Sequence, residues 1–185
     1  MLVVVLIIGI LSAIALPQYQ KAIRKSKLAQ LDVIISAARK NVVHYVSANG
    51  RIRPKGKDFI LFTGRDRLDT LDMPGNCEED EERCAVENIE WAAGCVDANP
   101  PFCALAILLD DIFDDETFIS LRREKVTEDI WYIEAIKGAQ KEICQWFKDR
   151  NYPAVPDSTR CEEFGITFDE YIPAAGSNYD DQTVR

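Results

Sequence analysis

The sequence predicts an α+β fold in which one long N-terminal helix packs on an antiparallel β-meander and a disulfide-stapled region closes the C-terminus. Three observations predict it. The apolar opening LVVVLIIGILSAIALPQYQKAIRKSK, Leu2 to Lys27, runs on in register into an amphipathic stretch. Four later segments read as successive strands, with period-two alternation where one face meets a core. All six cysteines lie beyond Gly50, in the acidic part of the chain.

The helix comes first. From Met1 to Leu16 every residue is apolar or small, with Gly9 and Ser12 the only soft spots. After Pro17, Tyr19, Ile23, Ser26 or Leu28, Leu31, Ile34 or Ile35, Ala38, Val42 and Tyr45 or Val46 recur at three- and four-residue intervals, marking one apolar stripe. Asn49-Gly50 supplies the stop. The chain therefore divides into a helix over 1–50, with a membrane or filament-core part at 1–16 and an amphipathic part at 17–50, and a head over 51–185. Fully helical, the rod is about 70 Å long, kinked or loosened at Pro17.

Charge divides the chain in the same way. Up to Ile60 there are ten Lys or Arg against two Asp, hence net +8; beyond it twelve stand against twenty-nine, hence −17. An acidic head excludes a nucleic-acid surface, which needs clustered Lys and Arg. The basic stem suits lipid headgroups or the acidic heads of neighbouring copies.

Sixteen apolar helical residues span about 24 Å, short of the roughly 30 Å hydrocarbon core. Ala13-Ile14-Ala15 resembles a secretory cleavage site, but no basic residue precedes the apolar run. A plain anchor would place Lys21, Arg24, Lys25 and Lys27 on the cytoplasmic side and hold the cysteines in a reducing space. A cleaved signal has no reason to continue in register into its mature protein, so the rod reads as part of an assembling subunit.

The run from Leu2 to Lys27, with Gly9 and the ALPQY around Pro17, resembles the N-terminal helix of type IV pilins and of the related pseudopilins of type II secretion. The resemblance covers about the first fifty residues. MPGNC at Met73 to Cys77, and a cysteine pair near the C-terminus, resemble the disulfide-bounded surface region of many pilins. The Gly-Phe-Thr-Leu-Ile-Glu that precedes Leu2 in that family, and its basic leader, are absent from this sequence. A truncated or misassigned start is the expectation, since about five more residues would bring the apolar span to the roughly 20 that a bilayer needs. In the family the peptidase cuts after that glycine and the new terminus is methylated.

The resemblance implies a pilin-like α+β fold and an assembly helix made of Leu2, Leu6, Ile7, Ile8, Gly9, Leu11, Ile14, Leu16 and Pro17. These residues would hold the subunit in the bacterial inner membrane, head in the periplasm, and then pack against other copies and related pilins in a cell-surface or periplasmic filament. The assembly machinery is the further partner implied. Gly9 and Pro17 bracket a stretch of weakened helical bonding; close helix packing at Gly9 is the equal alternative. A pilus is favoured over a secretion pseudopilus, because six cysteines and a long acidic head suit exposure outside the cell. An exported or membrane-tethered binding domain that never polymerises is the reading from another class.

In the head, Arg51 to Pro74 reads as an irregular connection, with a short helix or turn around Asp66 to Asp72. Glu90 to Ala93, Phe102 to Leu109, Thr117 to Arg122 and Ile130 to Ile136 read as strands. Ile119, Leu121, Trp131 and Ile133 alternate with polar neighbours, and the stem's stripe is the expected cover. Ala139 to Arg150 reads as a short helix and Asn151 onward as loop. Six cysteines beside an export-like segment point to disulfides in an oxidising space, since no spacing is the short knuckle that zinc prefers. A bridge from Cys144 to Cys161 staples the C-terminal part. Cys77, Cys84, Cys95 and Cys103 allow three pairings, and sequence neighbours, Cys77 with Cys84 and Cys95 with Cys103, are preferred.

No enzyme motif emerges. His44 is the only histidine, so no triad or zincin can be built, and it reads as a packing or edge residue. No cofactor is expected. Calcium at Glu78 to Glu82, at Asp110, Asp111, Asp114, Asp115 and Glu116, or at Asp180-Asp181 is the alternative; none follows the EF-hand pattern, and charge runs are usually solvated surface. Trp91, Trp131 and Trp146 read as core and rim.

Overall fold

The computed structural model describes residues 2–50, 59–61, 74–77, 83–86, 89–98, 101–109, 117–125 and 128–173. Helix α1, Leu2–Asn49, runs unbroken through Pro17 for 48 residues, about 72 Å of rise. Pro17 has no N–H, so the Ala13 carbonyl lacks its usual intrahelical partner. At the far end Gly50 turns left-handed (φ 65°) and its N–H caps the Val46 carbonyl at 2.7 Å, closing the helix at the Asn49-Gly50 stop.

Among the described residues seven strands follow: β1 (Phe59–Leu61), β2 (Asn76–Cys77), β3 (Cys84–Val86), β4 (Ile89–Val96), β5 (Phe102–Leu109), β6 (Thr117–Arg123) and β7 (Tyr132–Lys137). They form one antiparallel sheet in the order β2-β3-β4-β5-β6-β7. β3 and β1 share one edge of β4, pairing with Ile89–Trp91 and Gly94–Val96 respectively. Helix α2, Lys141–Asp149, and a 3-10 turn at Cys161–Phe164 complete the elements among the described residues.

Helix α1 lies across β4 and β5. Leu31, Ile34, Ile35, Ala38, Asn41, Val42, Tyr45 and Val46 are its buried residues, at the three- and four-residue spacing of one helical face. The sheet answers with Ile89, Trp91, Ala93 and Cys95 of β4, which register directly against Leu109, Ile107, Leu105 and Cys103 of β5. Every one is buried. A large aliphatic side chain there contributes about 1.5–3 kcal/mol when it leaves water.

The stripe ends sooner than its periodicity suggests. Tyr19 is 66% exposed and Ile23 39%, because the head's apolar core reaches down the helix only to about Leu28, which is partly buried.

β7 departs from simple alternation. Ser120 pairs with Ala135 but Leu121 pairs with Ile133, so one extra residue, Glu134, bulges from β7. The slip lets both Ile133 and Ile136 face the core beside Leu121 and Ile119, three residues apart instead of two. Trp131 is buried just before the strand.

The segment after α2 is less irregular than its prolines suggest. Ile133 donates to the Pro153 carbonyl (2.8 Å), Val155 to Ile133 (3.0 Å) and Ile136 to Ser158 (3.1 Å), so the chain runs parallel along the open edge of β7. Tyr171 and Asp169 bracket Ala154 through two further backbone bonds. Edge coverage of this kind satisfies groups that would otherwise invite pairing with another chain.

Arg51 to Pro74 contains β1; the turn expected at Asp66 to Asp72 lies outside the described residues. β2 and β3 were not anticipated, because two- and three-residue strands are too short to show a period.

Candidate functional site

Three disulfides hold the head. Cys77–Cys84 and Cys95–Cys103 each join residues directly opposite on neighbouring strands, β2 to β3 and β4 to β5. Cys144–Cys161 ties α2 to the 3-10 turn across a separation of 17 residues, and both cysteines are fully buried. Gly75 has its own task beside the first bridge. Its φ of 91° is left-handed, and a Cβ there would strike the Ala85 carbonyl and sit 2.6 Å from Val86 Cγ2. Only glycine lets β2 lie this close to β3.

The candidate assembly helix stands apart from all of this. Every described residue from Val3 to Ile23 is exposed, and Val3, Val4, Ile7, Ile8, Ile10, Leu11, Ile14 and Leu16 each keep more than half of their surface free. Gly9 has open space where a Cβ would be. The side chains of Leu2 and Leu6 lie outside the description. Soluble surfaces rarely leave so contiguous an apolar area without a partner.

Among the described residues, no helix is long and apolar enough to cross a membrane. Ile7 to Leu16, the longest apolar stretch with every side chain described, gives ten residues and about 15 Å of helix, half of a roughly 30 Å hydrocarbon core.

Where the apolar stretch stops, α1 turns basic and α2 comes alongside. A cleft of about 570 Å³ opens there, lined on one wall by Pro17, Gln20, Lys21, Arg24, Lys25 and Leu28, on the other by Lys141, Glu142, Gln145, Trp146 and Asp149. Arg24 reaches Glu142 at 3.3 Å. Above it Arg150 grips Asp32 with two bonds, 2.9 and 2.6 Å, while stacking 3.9 Å over the Trp146 ring. Exposed pairs contribute about 0–1 kcal/mol each, so they align α2 on the helix more than they hold it there. The holding comes from Ile143, Trp146 and Phe147, buried beneath α2 with the Tyr152 ring packed edge-on to Phe147.

A second cavity, about 550 Å³, lies higher on α1 among Asp32, Ser36, Arg39, Lys40, His44 and Tyr152. His44 is an exposed rim residue of it. Asp129, on its wall, gathers three elements: it accepts from Arg39 of α1 (2.8 Å), Arg123 of β6 (3.2 Å) and the Trp131 indole (3.1 Å). Partial burial alone would raise its carboxyl, but the bond and charge of Arg39, then Arg123 and Trp131, hold it below the usual range.

On the sheet face away from α1, Arg122 is buried beside Phe102, its guanidinium 3.6 Å from the ring centroid, and meets Glu134 at 3.0 Å and Glu124 at 3.9 Å. Ser120 donates to Glu134 (2.8 Å) and Tyr132 to Glu124 (2.7 Å). Burial, reinforced by that bond to Glu124, pushes the Tyr132 phenol well up, and Tyr171 stacks on its ring at 4.0 Å. This network had no sequence forecast; the adjacent pair Arg122-Arg123 inside an apolar strand was its one signal.

Of the other sequence candidates, Trp91, Trp131 and Trp146 are all buried in the core. The acidic runs at Glu78 to Glu82, Asp110 to Glu116 and Asp180-Asp181 lie outside the described residues. Among the described residues no three His, Cys, Asp or Glu are placed to hold one metal ion. Comparison with protein-family models, curated proteins and solved structures yields no match.

Proposed function

We propose that the chain is a structural, non-catalytic subunit of a filament of the type IV pilin class, polymerised through α1. One observation carries the proposal: a single continuous helix is buried in the head along its C-terminal half and bare along its apolar N-terminal half. A helix built for one folded chain would not leave eight large aliphatic residues uncovered. With about three fifths of each free, at about 1.5–3 kcal/mol for full burial, covering them from water yields on the order of 10 kcal/mol; from lipid the gain is smaller, and close helix packing supplies it. Other copies and related subunits supply that cover in the filament. Before assembly the apolar half sits in the bacterial inner membrane, with the disulfide-bearing head in the periplasm, from which the assembly machinery extracts it.

Filaments sheared from cells expressing the chain test the proposal. The chain should be recovered in them, and Ile8→Asp or Leu11→Asp, which place a charge on the bare face, should remove it while leaving the head folded. Recovery of the unaltered chain solely as a monomer in membrane extracts would favour a tethered domain that does not polymerise.

A further inference from the structure

The cleft between α1 and α2 has a composition and a position that the filament proposal does not use. Its walls carry Lys21, Arg24, Lys25 and Lys141 against Glu142 and Asp149, a surplus of two positive charges. Lys21, Lys25 and Lys141 are exposed, and Leu28 and the buried Trp146 give the cleft an apolar floor.

Position decides what such a cleft meets. Its first residue, Pro17, directly follows the last apolar residue, Leu16. Lys21 and Lys25 stand five and nine residues beyond Leu16, about 7 and 13 Å along the axis. The headgroup layer on each side of a bilayer is about 5–8 Å thick. With Leu16 at the hydrocarbon boundary, the cleft therefore opens into the headgroups and the water just above them, within reach of lysine side chains.

We infer that this cleft is a docking site for the phosphate of an anionic phospholipid headgroup, held by Lys21, Lys25 and Lys141 while the apolar part of α1 is in the bilayer. The inference rests on the membrane-inserted stage of the proposed function and adds to it a lipid preference. Arg24 remains on Glu142 and aligns α2, which its buried Ile143, Trp146 and Phe147 hold beside the helix, so the two walls stay together when the headgroup enters. Docking also sets how far the head stands above the membrane.

The test is co-flotation of the full chain, at limiting lipid, with vesicles of phosphatidylcholine alone or with phosphatidylglycerol mixed in. A lysine at an anionic surface contributes about fivefold in partitioning, so Lys21→Gln with Lys25→Gln should cost about 10- to 30-fold on phosphatidylglycerol vesicles and little on neutral ones. High salt should erase the preference. Lys40→Gln, on the same helix about 22 Å beyond Lys25, should leave it intact, and Lys21→Arg with Lys25→Arg should preserve it. Equal flotation with both vesicle types, or a preference that survives Lys21→Gln with Lys25→Gln, overturns the lipid preference and leaves apolar anchoring standing. Flotation with neither overturns membrane insertion itself. Competition of the preference by free inorganic phosphate at constant ionic strength would make the site a phosphate site and overturn the lipid assignment.

Discussion

Removing the bridge between Cys144 and Cys161 should cost more stability than removing either hairpin bridge. The pair closes a loop with a separation of 17 residues, for which the chain-entropy relation gives about 3 kcal/mol. Cys77–Cys84, with a separation of 7, gives about 2.4 kcal/mol by the same relation. Against Cys77–Cys84 native contacts widen the gap, whereas Cys95–Cys103, equally buried, differs by loop length alone, at about 2.5 kcal/mol for its separation of 8. Cys144 and Cys161 are completely buried, so alanines there leave small voids, whereas Cys77 is only partly buried in a strand of two residues. For a chain of this size about 2–4 °C of Tm accompanies each kcal/mol, so Cys144→Ala with Cys161→Ala should lower Tm by about 6–12 °C. Thermal unfolding in detergent, followed by near-ultraviolet circular dichroism, measures it. Loss of the bridge also frees α2, so the Trp146 environment should change before the sheet melts. A loss under about 1 kcal/mol, or a larger loss from Cys77→Ala with Cys84→Ala, would refute the assignment of this bridge as the main staple.

Gly75→Ala should destabilise by about 1–3 kcal/mol through its left-handed φ, and more from the collision with Ala85; slower closure of Cys77–Cys84 in oxidative refolding is the accompanying readout. Arg122→Met should cost about 3–5 kcal/mol by stranding Glu124 and Glu134, and adding Glu134→Gln should return part of that in a double-mutant cycle by denaturant unfolding. Asp129 has a carboxyl held below its ordinary 3.8, so its contribution is present above that pH and is lost as pH falls through the lowered folded value. Asp129→Asn should therefore flatten the acid limb of the stability curve below about pH 4, and an unchanged limb would discount the Arg39 and Arg123 contacts.

Much of this fold was legible because it is written in local periods. The stripe from Leu31 to Val46 repeats with the helical turn, and β4, β5, β6 and β7 lie within a few residues of the spans their composition suggested. Gly50 ended the helix because left-handed backbone favours glycine whatever surrounds it. The length and bareness of the apolar opening were legible for the same reason, since they need no partner to be seen.

What stayed hidden depends on partners far away in sequence. Asp32 and Arg150 stand 118 residues apart, Arg39 and Asp129 90 apart, and nothing local to either end marks the contact. The extra residue at Glu134 leaves the sequence pattern of β7 ambiguous, because a single insertion trades period two for a spacing of three and only the register against β6 shows it. Phe102, Glu124 and Glu134 close around Arg122 only in the fold. The sequence by itself determined the long helix, its apolar and basic halves and the alternation of the main strands, since each follows from short-range sterics and solvation. Tertiary structure alone decided where the stripe stops being covered, which carboxylates meet which arginines, and that a basic cleft opens where the apolar run ends, because those outcomes depend on how distant surfaces meet.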